Sequence, residues 1–342
     1  MASILEAEIR EQPAALERLL KTQFGRAREA GNLLARHDIR FIVIAARGSS
    51  GNAARYAQYV LGRAHRVPVA LATPSLYTIY GQPPRLDGAL VLAISQSGSS
   101  PDIVSVLEEG RRQGRPTIAL TNTPGSAVAA AADVVLPLEA GEERSVAASK
   151  TYSNSIGAIA LLFSVFTEDK VAADELHRMP EFVASQIDLS LREVDGLVLN
   201  AARSAAIIGR GVNYTTAHEI ALKIRELSGI VVEAWSPADL RHGPIAALVA
   251  GSPVIGVAPP GPAQASVLEM LAELRGRGAH TIAIAEDRPP VDDVLRIVGD
   301  VPEWLSPLTA VVPGQVAALR AAELRGLDVD RPAGLEKVTL TR

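Results

Sequence analysis

Apolar and polar positions along the chain change period in a repeating order. Residues 4–36 carry apolar side chains at helical spacing (Ile4, Ile9, Leu16, Leu19 and Leu20) with a break near Pro13, which predicts one or two amphipathic helices. From Phe41 the pattern switches to a continuous apolar, β-branched run, Phe41-Ile42-Val43-Ile44-Ala45-Ala46. It closes on Arg47-Gly48-Ser49-Ser50-Gly51 and is followed by a helical stretch from Asn52 to Leu61. Similar short runs recur at Val69–Ala72, Ala89–Ile94, Thr117–Leu120 and Val134–Leu138, separated by helical segments such as Asp102–Gln113. Strands that are apolar throughout and alternate with helices predict a parallel sheet covered on both faces.

The same order returns in the second half. Ala205-Ala206-Ile207-Ile208-Gly209-Arg210-Gly211 repeats the Arg-Gly turn, with Gly211 lying 163 residues after Gly48. Val254-Ile255-Gly256-Val257-Ala258-Pro259-Pro260-Gly261 repeats the region around Ser95–Gly98 at the same offset of 163, and Thr281–Ile284 matches Thr117–Leu120 at 164. One offset held within a residue by three landmarks predicts two copies of one doubly wound unit. The expected fold class is therefore α/β, with two tandem, flavodoxin-like parallel-sheet domains. The expected boundaries are N-terminal helices at 1–36, a first domain at 37–168 that binds the ligand, a second at 193–325, and an ordered tail at 326–342 that closes the active site. Helices around Thr151–Phe166 and Glu181–Arg192 join the copies.

A length of 342 residues accommodates two such domains. Hydrophobic residues at 48% and charged residues at 21% exclude wholesale disorder. The net charge of −4 is made by scattered basic and acidic residues without a basic stripe, so no nucleic-acid partner is expected. With no cysteine there is no disulfide framework, thiolate metal site or thiol nucleophile. The acidic start MASILEAEIREQP lacks the apolar core of a signal peptide, and no uncharged apolar run reaches membrane-spanning length. The expectation is a cytoplasmic protein with no membrane partner.

Two loops at strand ends are rich in small hydroxyl residues: Gly48-Ser49-Ser50 and Ser95-Gln96-Ser97-Gly98-Ser99-Ser100. Either alone reads as ordinary helix capping. Together, at the ends of two strands of one sheet, they suit a phosphate dianion, because each supplies backbone N–H groups, hydroxyls and the positive end of a helix dipole. The second copy has Val212-Asn213 and Pro259-Pro260 at the matching places, so one phosphate site per chain is expected. On the next candidate helix Glu219, Lys223 and Glu226 fall at i, i+4 and i+7 and share one face; spacing alone favours a solvated face with an ordinary ion pair. His218 is expected to pack or cap. The polar loop Glu233–Pro244 presents His242 before Gly-Pro, a group that titrates near neutrality. The tail holds Lys337 between Asp330-Arg331-Pro332 and an alternating Val338-Thr339-Leu340 run; a docked, desolvated lysine can engage a carbonyl or form a Schiff base.

Five ordered motifs carry a resemblance: Gly48-Ser49-Ser50, Ser95-Gln96-Ser97-Gly98, Val146-Ala147-Ala148-Ser149-Lys150, Leu240-Arg241-His242-Gly243-Pro244 and the Asp328-Val329-Asp330-Arg331-Pro332…Lys337 tail. They resemble the sugar-isomerase (SIS) domain family, and within it the isomerase half of the glutamine–fructose-6-phosphate aminotransferases. The resemblance implies a homodimer acting on a phosphosugar without cofactor or metal. It implies that Ser50, Ser95, Gln96, Ser97 and Ser100 bind the phosphate, while Gly48, Ser49, Ala148 and Ser149 line the substrate. Glu226 would shuttle a proton between C1 and C2, His242 would assist ring opening across the dimer interface, and Lys337 would engage the open-chain carbonyl. The loop departs from the family's Ser-Gln-Ser-Gly-Glu-Thr, with Ser99 and Ser100 in the last two places. The chain also lacks the catalytic cysteine of a glutaminase half, so ammonia release is the expected direction, as in the SIS-type glucosamine-6-phosphate deaminases: glucosamine 6-phosphate and water giving fructose 6-phosphate and ammonia. Alternatives are another SIS isomerase or deglycase, acting on fructosamine, galactosamine or tagatose 6-phosphate, and a non-catalytic phosphosugar sensor. The six histidines show no metal-ligand spacing, and G-x-G-x-x-G is absent.

Overall fold

A computed structural model describes residues 3–200 and 202–337. Three helices open the chain, α1 (Ile4–Arg10), α2 (Gln12–Thr22) and α3 (Phe24–Leu34). The first copy follows as β1 (Phe41–Ala46), α4 (Gly48–His65), β2 (Val69–Leu71), α5 (Ser75–Thr78), β3 (Ala89–Ser95), α6 (Pro101–Arg112), β4 (Thr117–Thr121), α7 (Ala127–Ala130) and β5 (Val134–Pro137). After α8 (Lys150–Thr167), α9 (Lys170–Glu193) and α10 (Leu197–Asn200) comes the second: β6 (Ser204–Ile208), α11 (Asn213–Ser228), β7 (Val231–Trp235), α12 (Pro237–Arg241), β8 (Pro253–Val257), α13 (Gln264–Gly276), β9 (His280–Ala285), β10 (Asp293–Arg296) and α14 (Pro307–Leu324).

Both copies are five-stranded and entirely parallel, ordered β2-β1-β3-β4-β5 and β7-β6-β8-β9-β10. The repeat read from sequence is thus a repeat of topology. It reaches side chains as well. Thr117 at the start of β4 donates its amide and hydroxyl to Asp133 Oδ2, at 2.9 and 2.8 Å, and Thr281 in β9 does the same to Asp292 Oδ2 at 2.8 and 2.9 Å.

Contact density divides the chain into two compact units. One holds residues up to Pro13 with Arg144–Ser149 and Met179–Lys337; the other holds Ala14–Glu143 and Lys150–Arg178. In the latter, β3 and β4 are buried at every residue, and Val43, Val91, Ala93, Ile103, Val106 and Leu107 form the core on one sheet face. Ile208, Val254, Met270, Leu271, Leu274 and Ala283 do so in the former. Apolar runs without alternation are what a doubly covered sheet demands.

Two boundaries differ from the sequence pattern. The N-terminal segment makes three helices rather than one or two, because Pro13 sits at the second position of α2, where its missing N–H breaks no ladder bond. The chain bends at Glu11 and again at Gln23. Helix α4 starts at Gly48, four residues before the apolar period becomes visible, so Gly48-Ser49-Ser50 is its first turn. Gly48 takes φ +53°, a left-handed conformation that glycine adopts without the Cβ clash.

The Asp292 carboxyl is held below the ordinary aspartate range, chiefly by the Thr281 amide and hydroxyl, then by Arg275. A lowered value means stability that is present above the ordinary titration range and lost as pH falls through the lowered one. D292N is therefore expected to lower the midpoint of thermal unfolding at pH 7, by about 1–2 kcal/mol of stability. The gap to wild type should close as both are acidified through and below the lowered Asp292 titration; a gap that does not shrink on acidification would contradict the assignment.

Candidate functional site

In the first copy, strand order reverses between β1 and β3, with β2 on one side and β4 and β5 on the other. Open α/β sheets bind ligands in the crevice outside the carboxyl ends of such a pair. The strands run in register from Phe41 opposite Ala89 to Ala46 opposite Ile94, so both serine-rich loops leave the sheet side by side. Each feeds a helix N-terminus: residues 48–50 begin the 18-residue α4, and Ser100 is the N-cap of the 12-residue α6. The loop at 95–100 is braced from within. Ser95 Oγ accepts the Gly98 N–H at 3.0 Å, and the Ser97 and Ser99 hydroxyls share a hydrogen bond of 2.9 Å. Gly98 sits at φ +64°, and a Cβ there would lie 2.0 Å from Ser126 Oγ, so the turn requires glycine. The Ser100 hydroxyl makes no capping bond to its own helix, while the loop backbone is tied to the next strand through Gln96 O and the Asn122 N–H at 3.3 Å. Gly48, Ser49, Ser50, Ser95, Gln96, Ser97 and Ser100 are thus brought to one crevice of one unit, with two helix dipoles aimed into it.

Sequence reasoning missed the clamp beneath this crevice. Arg47, immediately before Gly48, places Nε and Nη2 both 2.9 Å from Asp102 Oδ2, just beyond Ser100. Asp102 is fully buried, and its Oδ1 has no hydrogen-bond partner. The carboxylate depends on Arg47 and the α6 dipole for its stability. Its signal was local: an acid two residues past the loop, and a base abutting the other loop.

The equivalent reversal in the second copy, between β6 and β8, is filled by protein. Glu303 Oε1 accepts the N–H of Ala263, the N-cap of α13, at 3.4 Å. A Cβ on Gly261 would stand 2.7 Å from Glu303 Cγ. A carboxylate occupies the helix end where the first copy presents hydroxyls, which repels a second phosphate.

The other unit holds the remaining candidates. Helix α11 packs against α14 so closely that a Cβ on Gly314 would lie 2.4 Å from Ile220 Cγ1. The face bearing Glu219, Lys223 and Glu226 is not solvated, as spacing alone suggested. The Glu219 and Lys223 side chains are 0% and 2% exposed, whereas Glu226 retains 24%. Lys223 Nζ lies 2.5 Å from Glu226 Oε2 and 3.5 Å from Glu219 Oε1. A cation can be buried here because two carboxylates flank it. Glu226 also lines a cavity of about 540 Å³ whose walls include Leu222, Leu227, Leu327, Pro332 and Leu335.

Lys337 is half-buried and donates to the Ser145 carbonyl at 2.7 Å. Ser149 is buried and Ala148 half-buried in that same segment, Arg144–Ser149. Within the tail, Asp328 Oδ1 accepts the Asp330 and Arg331 N–H groups at 3.0 Å each. The Val338–Thr341 part of the alternating run lies outside the described residues. His242 caps the C-terminus of α12 through its own N–H to Asp239 O, and it is exposed, away from the cavity walls that Glu226 shares. His218 packs edge-on against Tyr214 with ring centroids 4.5 Å apart. Among the described residues no group of three acidic or histidine side chains is placed to hold a metal ion, and no helix is long and apolar enough to cross a membrane.

Duplicated doubly wound sheets, with two serine-rich helix N-termini at the reversal point of one copy and a buried lysine between two glutamates on a helix of the other, define a two-domain α/β protein. The SIS domain profile matches residues 37–165 and 198–322, and the chain belongs to the SIS domain family. It is 34% identical over 340 residues to glutamine–fructose-6-phosphate aminotransferase (isomerizing) of Pyrococcus horikoshii, covering 96% of this chain and 56% of that protein. The chain thus spans just over half the length of that relative. A protein of Silicibacter pomeroyi DSS-3 assigned as a phosphosugar isomerase superimposes with a TM-score of 0.89 at 32% identity, covering 96% of this chain and 99% of that one. The C-terminal domain of glucosamine-fructose-6-phosphate aminotransferase from Francisella tularensis gives 0.88 at 25% identity, covering 97% and 99%.

Because Asp102 is fully buried, R47A is expected to cost about 1–3 kcal/mol by stranding its carboxylate, and D102N/R47A should recover part of that loss. Denaturant titration of the three variants measures it; equal stability of R47A and wild type would remove the clamp from the account.

Proposed function

We propose that this chain is an aldose–ketose isomerase of an amino-sugar 6-phosphate, converting glucosamine 6-phosphate and water to fructose 6-phosphate and ammonia. The observation that carries the reading is Glu226: a partly exposed carboxylate that lines a cavity, held by a buried ammonium whose other flank is the buried Glu219 carboxylate. That is how a base is held in one rotamer with its proton-accepting edge outward. The relatives, a fructose-6-phosphate aminotransferase and a phosphosugar isomerase, supply the substrate class.

The serine crevice of the first copy anchors the phosphate, the end of the sugar that does not react, and its binding energy orients C1 and C2. His242, donated from the second subunit of a dimer, transfers a proton during ring opening. Lys337 engages the open-chain C1 carbonyl. Glu226 then removes the proton from C2, the electron pair moves toward C1 to give an enaminol, and the same carboxyl returns the proton to C1. The resulting C2 imine takes up water, and the C2–N bond breaks to leave the ketone and ammonia. No electrons are exchanged with a second reactant. Proton transfer needs Glu226 within about 2.6–3.2 Å of the moving proton's donor.

Incubating the purified chain with glucosamine 6-phosphate and measuring ammonia and fructose 6-phosphate tests the reading. E226Q is expected to lower kcat roughly 10²–10⁴-fold with KM little changed. S97A should chiefly raise KM, by about 10-fold for one charge-assisted hydrogen bond. Substrate binding without product, or E226Q at wild-type turnover, contradicts the proposal.

A further inference from the structure

Helix α1 has no part in the chemistry above, yet its polar atoms are committed to the segment that holds Lys337. Glu8 is 3% exposed, and its two carboxylate oxygens accept the Arg144 N–H and, at 3.2 Å, the Ser145 N–H. The other face of the same residue, the Ser145 carbonyl, accepts the Lys337 ammonium at 2.7 Å. At the start of α1, Asp330 of the tail accepts the Ile4 and Leu5 N–H groups at 3.0 and 2.9 Å. The Asp330 carbonyl in turn accepts the Val146 N–H at 3.5 Å. The bonds close a ring from α1 through Asp330, Val146, Ser145 and Glu8 back to α1, and Lys337 is fastened to one member of it. The helix is itself tied to α14, from whose end the tail departs, by the Glu6–Arg320 ion pair at 3.3 Å, and Gln12, the first residue of α2, donates Nε2 to Gln315 Oε1 at 3.0 Å with both side chains buried.

We infer that α1 positions the reactive lysine, with Glu8 and Asp330 as positioning residues. The inference rests on the proposed role of Lys337 at the substrate carbonyl. Two acidic residues spend all four carboxylate oxygens on backbone N–H groups, Asp330 tying the tail to the start of α1 and Glu8 tying α1 to the Arg144–Ser145 segment. Glu8 is suited to the task because only an ionised carboxylate accepts both adjacent amides at once. A glutamine would turn one N–H₂ against an amide donor. Neither residue reaches Lys337 directly, so both act through the Ser145 carbonyl and the tail backbone. Misplacing a reacting group by about 1 Å can cost on the order of 10²-fold in rate.

The test uses the full chain and the variants E8Q, D330N and K337A. Backbone hydrogen exchange over residues 326–337 reads tail order whether or not the protein turns over, and steady-state kinetics with glucosamine 6-phosphate reads the consequence. E8Q and D330N are expected to speed exchange in that window and to lower kcat about 10–10²-fold with KM within about threefold. K337A is expected to abolish turnover. If E8Q does not fold, D330N, whose side chain is only half-buried, carries the same readout. Loss of turnover in K337A together with unchanged tail exchange and unchanged kcat in both other variants overturns this inference and leaves the proposed function standing. Faster tail exchange with wild-type turnover in K337A overturns the assigned role of Lys337, and the catalytic part of this inference with it.

Discussion

The reversal of strand order between β1 and β3 is the constraint on which the rest depends. A parallel sheet wound both ways from its centre leaves one pair of neighbouring strands whose following helices depart to opposite faces, and the loops between them cannot cover the crevice. Two helix N-termini therefore face that gap with the positive ends of their dipoles. Residues 48–50 and 95–100 add hydroxyls, and Gly48 and Gly98 let the backbone take left-handed turns there. An anion completes such a crevice. The second copy completes it with its own Glu303. One topology thus presents hydroxyl-rich loops in one copy and a carboxylate at the matching place in the other, and a few side chains make the difference.

The buried Lys223 solves a different problem. Removing an ammonium from water is costly unless carboxylates replace its hydration, and Glu219 and Glu226 do so from one turn below and one turn above. The pairing is asymmetric, since Glu219 is wholly buried and Glu226 is not. The arrangement therefore stabilises the helix interior and at the same time points one carboxylate outward in a fixed orientation. The close approach of α14 at Gly314 packs against Ile220, on the neighbouring side of the same helix.

Much of the fold was legible in the sequence because its strands are apolar on both faces, a signal that a parallel sheet imposes and that repeats at one offset. The two serine loops were legible for a similar reason, since they follow the strands directly. What was not legible is whatever depends on a partner far along the chain. Helical spacing places Glu219, Lys223 and Glu226 on one face but is silent on what covers that face, so it suggested solvent where the fold buries Glu219 and Lys223. The start of α4 was missed because its first turn is small and polar. Asp330 caps a helix more than 300 residues away, and Glu8 orders a segment more than 130 residues away; neither leaves a local trace. The Arg47–Asp102 clamp joins two loops that the sequence shows separately, and only the side-by-side exit of β1 and β3 reveals that they meet.

The most direct test of the central claim is the position of a phosphate group in crystals of the chain grown with fructose 6-phosphate. Its oxygens are expected within hydrogen-bond reach of the backbone and hydroxyls of residues 95–100 and of Ser50, with the crevice beside Glu303 free of ligand. A phosphate seated elsewhere, with those serines solvated, would contradict it.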